Sequence, residues 1–96
     1  MSEIEDMNEM EELRILEEKA LSLIPIIIDY IDDEYKKYLE ELISHCEIGL
    51  AYEEIATTVI YLDIKITPQQ YEKFNIEKIL KHVNKDILSR IKKQVV

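Results

Sequence analysis

Apolar residues recur at steps of three and four along most of the chain, the period of helices that bury one stripe. Over the first two dozen positions Ile4, Met7, Met10, Leu13, Leu16, Ala20 and Leu23 form such a stripe, and the opposite side is acidic. Ser2 stands as a cap. Glu3, Glu5 and Asp6 fall in the first turn, where the positive end of the helix dipole favours carboxylates. This helix is expected to run to about Ile24, with a kink or break at Pro25, which lacks an amide donor and precedes the β-branched run Ile26-Ile27-Ile28.

Asp32 and Asp33 can cap a second helix with Tyr35, Tyr38, Leu39, Leu42, Ile43 and Cys46 on its apolar face. Lys36, Lys37, Glu40, Glu41 and Ser44 then point away. The chain is expected to turn around Gly49, the residue freest to take a positive φ. A third helix follows, from about Gly49 to Leu62, with Leu50, Ala51, Ile55, Val59 and Leu62 inward, Tyr52, Ala56 and Ile60 flanking, and Glu53, Glu54, Thr57, Thr58 and Tyr61 opposite. Ile64-Lys65-Ile66 is long enough only for an extended linker. Thr67-Pro68-Gln69-Gln70 is a capping-box helix start, leading through Tyr71, Phe74, Ile79, Leu80 and Val83 to about His82 with an interruption near Asn75. Asn84 can cap a last helix that turns Ile87, Leu88, Ile91 and Val95 inward. The expected fold is all-α, a small bundle of four to five helices, with residues 1–96 as one domain.

Composition narrows this further. One glycine and two prolines are too few for the turns of a many-stranded sandwich or barrel, or for a glycine loop that cradles phosphate. The lone Cys46 forms no internal disulfide and suits a reducing compartment, so a cytoplasmic location is expected. The start of the chain is acidic where a secretory signal is basic. The most apolar run, Ala20 to Ile28, falls far short of the roughly 20 residues that span a bilayer.

Charge is divided along the chain. Residues 1–63 carry 18 acidic and 4 basic side chains, residues 64–96 carry 3 acidic and 8 basic, and the whole chain has a net charge of −9. An acidic surface repels nucleic acid and steers a basic partner into place. The basic third offers Lys78, Lys81, Lys85, Arg90, Lys92 and Lys93 as a phosphate stripe, but no helix-turn-helix signature accompanies it. A small helical nucleic-acid-associated regulator is therefore the alternative, not the leading expectation.

No enzyme constellation emerges. His45 and His82 lie far apart and belong to no zinc spacing, His45 and Cys46 splay apart on a helix, and Asp32-Asp33-Glu34 lacks the alternating ligands and glycine of a calcium loop. Cys46 is accounted for as a small core residue and His45 as a helix-end or surface residue. No cofactor or metal is expected, and a binding module remains.

The segment Cys46-Glu47-Ile48-Gly49-Leu50-Ala51-Tyr52-Glu53, continuing to Asp63-Ile64-Lys65-Ile66-Thr67-Pro68-Gln69-Gln70-Tyr71, resembles the MafI-type immunity proteins of bacterial polymorphic toxin systems. The resemblance covers roughly residues 35–83. Cys46 stands where that family usually has glycine, and Tyr52 where it usually has leucine. It implies an all-helical cytosolic protein that neutralises a cognate toxin C-terminal domain, commonly a basic nuclease, by covering its active or substrate-binding site. Glu47, Glu53, Glu54 and Asp63 would supply the complementary charge and Tyr61 an anchor. Of the residues named here, the family motif itself includes Glu47, Gly49 and Glu53. Asp32, Asp33, Glu40 and Glu41 form a second candidate patch, and the N-terminal acids a third.

Overall fold

The structure, a computed structural model, describes residues 3–96, with side chains from residue 9 onward. The Ser2 cap and the side chains of Glu3, Ile4, Glu5, Asp6 and Met7 lie outside the described residues. Helix α1 (Glu3–Leu21) ends before Pro25, which sits in the first turn of the short α2 (Ile24–Ile27). A 3-10 turn (Ile28–Tyr30) leads into α3 (Asp33–Ser44), and α4 (Ile48–Tyr61) follows almost directly. Then come α5 (Pro68–Lys73), α6 (Glu77–Leu80) and α7 (Asp86–Lys92). Among the described residues this is an all-α bundle in which four helices have seven or more residues.

The expected break at Pro25 is present. α1 departs from the expected stripe, however: Ala20 and Leu23 are sealed and Leu16 is partly covered, but Met10 is 71% exposed and Leu13 and Ile15 are also exposed. A 19-residue helix is ~28 Å long, whereas the α3 and α4 barrels it packs on are ~18–21 Å long. The exposed Met10 and Leu13 lie toward the N-terminal end of α1, and its sealed residue Ala20 at the other.

The turn between α3 and α4 falls on Cys46, not Gly49. Cys46 has φ 63°, while Gly49 lies within the first turn of α4 and its φ is not positive. Cys46 N–H donates to Ile43 O (3.2 Å) and Glu47 N–H to Leu42 O (2.8 Å), the two bonds of a Schellman stop. Placed at this left-handed corner, Cys46 is exposed, which overturns its assignment to the core. α4 stops the same way: Asp63 takes φ 53°, with Asp63 N–H on Ile60 O (3.3 Å) and Ile64 N–H on Val59 O (3.0 Å). Aspartate tolerates this conformation better than most side chains.

α4 touches α1, α2, α3, α6 and α7, so its buried face is wide. Ile48, Ala51, Tyr52, Ile55, Ala56 and Val59 are buried, and the small Ala51 and Ala56 let neighbouring helices approach. Leu50 and Leu62, expected inward, are exposed, while Tyr52 and Ala56, expected at the flanks, are fully buried. The phase of the helix was offset by the wide apolar content of this segment. Tyr52 can be sealed because its hydroxyl donates to Phe74 O at 2.7 Å and its ring meets Phe74 edge-on, centroids 5.7 Å apart.

The Thr67–Gln70 capping box forms as expected, with Gln70 N–H on Thr67 Oγ1 (3.1 Å) and Thr67 N–H on Gln70 Oε1 (2.9 Å). The helix is interrupted at Asn75, and Asn84 Oδ1 accepts Asp86 N–H at 3.0 Å to start α7. The 64–66 linker is extended, with Ile64 and Ile66 buried. It pairs with the end of the chain: Ile66 N–H donates to Gln94 O and Val96 N–H to Ile66 O, both at 3.0 Å. One cluster of buried side chains runs from Ala20 through to Ile91.

Candidate partner-binding seam

With α4 enclosed on most sides, its most exposed residues fall along one strip. Glu47, Leu50, Glu54, Thr57 and Tyr61 follow one another at steps of three and four along that strip. α3 returns antiparallel beside it, because the Cys46 stop allows no room for a longer connection. The contact between Tyr35, at the start of α3, and Glu54, in the middle of α4, fixes this register: the phenol hydroxyl of Tyr35 donates to the Glu54 carboxylate. Burial first, and that bond second, push the Tyr35 pKa from 10.0 up to about 12.

The seam between α3 and α4 has a concavity at each end. Near the start of α3, a groove of about 440 Å³ is lined by Tyr30, Ile31, Asp32, Tyr35, Thr57, Thr58, Tyr61 and Leu62. At the other end, a hollow of about 310 Å³ is lined by Tyr38, Glu41, Leu42, His45 and Glu47. The rings of Tyr35 and Tyr38, 5.8 Å apart, connect the two. Four of the six tyrosines, Tyr30, Tyr35, Tyr38 and Tyr61, thus lie along one seam with Asp32, Glu41, Glu47 and Glu54 among them. Tyr61 is 76% and Tyr30 55% exposed.

The expected site residues divide. Asp32 and Tyr61 meet at the larger groove, and Glu41 and Glu47 at the smaller hollow, so parts of the first two proposed patches share a surface. Asp32 also caps α3, its Oδ1 accepting Tyr35 N–H at 2.8 Å. Asp33 and Glu40 are exposed but line neither concavity, and Glu53 is half-buried and lines neither. Asp63 lies past the end of α4, where its Oδ1 accepts from Gln94 Nε2 (2.8 Å) and Lys65 Nζ (2.9 Å). These donors hold its carboxyl below the usual range, Gln94 first. Its side chain is committed to a clasp on the C-terminal segment.

Tyr30, Tyr35 and Tyr38 were not anticipated at the surface. Tyr35 and Tyr38 share the apolar period of α3, and a pattern of apolar positions does not register that a phenol oxygen requires a polar partner. The abundance of tyrosine over phenylalanine and tryptophan, 6 against 1 and 0, was the available signal. At the end of α3, His45 Nδ1 lies 2.7 Å from Glu41 O, a helix-end contact. Among the described residues, no group of three or more His, Cys, Asp or Glu side chains is arranged to hold a metal ion, and no helix is long and apolar enough to cross a membrane. On the basic side, Lys81, Lys85, Arg90, Lys92 and Lys93 are exposed, and Lys78 pairs with Glu12 of α1 at 2.6 Å.

Compared with protein-family models, curated proteins and solved structures, the chain has no match.

Proposed function

We propose that this protein is an immunity protein that neutralises a cognate bacterial toxin domain, a basic nuclease, by laying the α3–α4 seam over its active or substrate-binding site. The observation that carries this reading is the set of four tyrosines interleaved with carboxylates along one exposed seam. Tyrosines give binding surfaces large, stiff contact area at small entropic cost, and carboxylates beside them complement a phosphate-binding groove. In such a groove Asp32, Glu41 and Glu47 take the place of nucleic-acid phosphates, and the surrounding negative field speeds encounter.

The corner at Cys46 adds support to the resemblance. The position where the immunity family usually carries glycine is the position where this chain enters the left-handed region, with φ 63°. Only glycine takes that conformation without penalty, so the family's glycine and this chain's Schellman stop answer the same backbone demand. On this reading the protein acts in the cytoplasm of the producing cell and has no catalysis of its own.

The test is co-expression with the toxin domain encoded by the neighbouring upstream gene. Protection of the host by this chain, lost with Tyr61→Ala together with Glu47→Lys, is the expected result. A toxin that stays lethal beside the folded protein, or an upstream product that is harmless alone, removes the assignment. Where a complex forms, Glu41→Lys with Glu47→Lys should lower the association rate and its salt dependence while leaving helix content unchanged. Both residues are exposed, so the charge is altered without disturbing packing.

A further inference from the structure

The larger groove differs from the rest of the seam in how its walls are built. Tyr30 and Tyr61 stand exposed at its rim, Tyr35 is half-buried within it, and Ile31 and Leu62 add apolar surface. Among the described residues, Asp32 is the one carboxylate in its lining, and no basic side chain lines it. Because Asp32 Oδ1 already caps Tyr35 N–H at 2.8 Å, the carboxylate is held in place before any partner arrives. Glu54, bonded to the Tyr35 hydroxyl, adds a second negative charge behind the aromatic wall.

We infer that this groove receives the guanidinium of an arginine presented by the basic partner, stacked on the exposed Tyr61 ring and hydrogen-bonded to Asp32. This inference rests on the partner-binding reading of the seam and specifies its chemistry. Charge complementarity selects a cation. The aromatic walls favour a planar, weakly hydrated one, since guanidinium stacks flat on ring faces and sheds its water more readily than an ammonium. The apolar surface of Ile31 and Leu62 suits the methylene stem that carries it. Asp32, fixed by its cap, offers an acceptor that does not need to be ordered on binding.

Titration of the isotopically labelled protein with tri-arginine and tri-lysine amides, followed by amide chemical shifts, tests the inference without any toxin. Tri-arginine should shift Tyr30, Asp32 and Tyr61 saturably and bind several-fold tighter than tri-lysine. Tyr61→Ala should weaken that binding about two- to fivefold, the weight of a cation–π contact at an exposed site, and Tyr61→Phe should preserve it. Tyr61 is 76% exposed, so neither change threatens the fold. Equal affinity for the two peptides, shifts centred on Glu41 and Glu47, or an unaffected Tyr61→Ala variant would overturn the proposal. Arginine binding at the groove combined with failed neutralisation would remove the toxin assignment and leave the site standing. Neutralisation without an arginine preference would do the reverse.

Discussion

Tyr52→Phe removes one oxygen from the centre of the molecule and should reveal how the core uses it. The Tyr52 ring is fully buried against Phe74, and its hydroxyl donates to Phe74 O at 2.7 Å. Phe74 O also accepts from Ile76 N–H at 2.9 Å, so the deletion leaves the carbonyl with one partner. The expected loss is therefore about 1 kcal/mol, a net hydrogen bond, and not the ~3 kcal/mol that an orphaned buried carbonyl can reach. In thermal melts that corresponds to a fall of roughly 4–8 °C for a domain of this size. The deficit should also depend on pH. Burial, reinforced by the neighbouring Tyr71, raises the Tyr52 pKa well above the ordinary 10.0. A raised folded-state pKa means that the unfolded chain loses its phenol proton first. The stability is complete below about pH 10 and declines by about 1.4 kcal/mol per pH unit above it, until the folded-state pKa is passed. Phenylalanine has no such proton, so wild type and variant should converge near pH ~11. Urea unfolding at 25 °C across the neutral to alkaline range gives both numbers. A variant as stable as wild type at neutral pH, or a deficit that stays constant through pH ~11, would refute the assigned role.

Glu54→Gln should lower the Tyr35 pKa from about 12 but leave it above 10.0, because burial remains and raises it more than the Thr58 hydrogen bond lowers it, and ultraviolet titration of phenolate absorbance reads this directly. Cys46→Gly should stabilise the fold by about 0.5–1 kcal/mol in urea unfolding, since relief at φ 63° exceeds the added freedom of the unfolded chain. A destabilised variant would show that the Cys46 side chain makes a contribution the backbone does not explain. Gln94→Ala should cost about 1–3 kcal/mol, because the buried amide joins Asp63 at 2.8 Å to Val59 O and Ile64 O at 3.4 and 3.3 Å, and amide exchange at Ile66 and Val96 should accelerate with it.

Local signals were legible where a capping side chain opens a helix, but not at the left-handed stop on Cys46, which was expected at Gly49. Asp32 caps α3, the Thr67–Gln70 box opens α5 and Asn84 begins α7, because each depends on a side chain reaching backbone only two or three residues away. The acidic charge of residues 1–63 was equally plain. Of the candidate site, Asp32, Glu41, Glu47, Glu54 and Tyr61 fall on the seam, while Asp63 serves the C-terminal clasp and Glu53 lies away from both concavities.

What the amino-acid order determined by itself was the helical class, the caps that open α3, α5 and α7, and the acidic balance of the chain, all consequences of short-range geometry and composition. Tertiary packing decided the rest. α4 became the central helix because five neighbouring elements close on it, and this rotated Tyr52 and Ala56 inward and left Leu50 and Leu62 outside. The antiparallel return of α3 brought Tyr30, Tyr35 and Asp32 to Tyr61, residues up to 31 positions apart whose proximity no local period encodes. A helix repeats its faces every 3.6 residues whatever surrounds it, but which face is buried depends on the partners that pack against it.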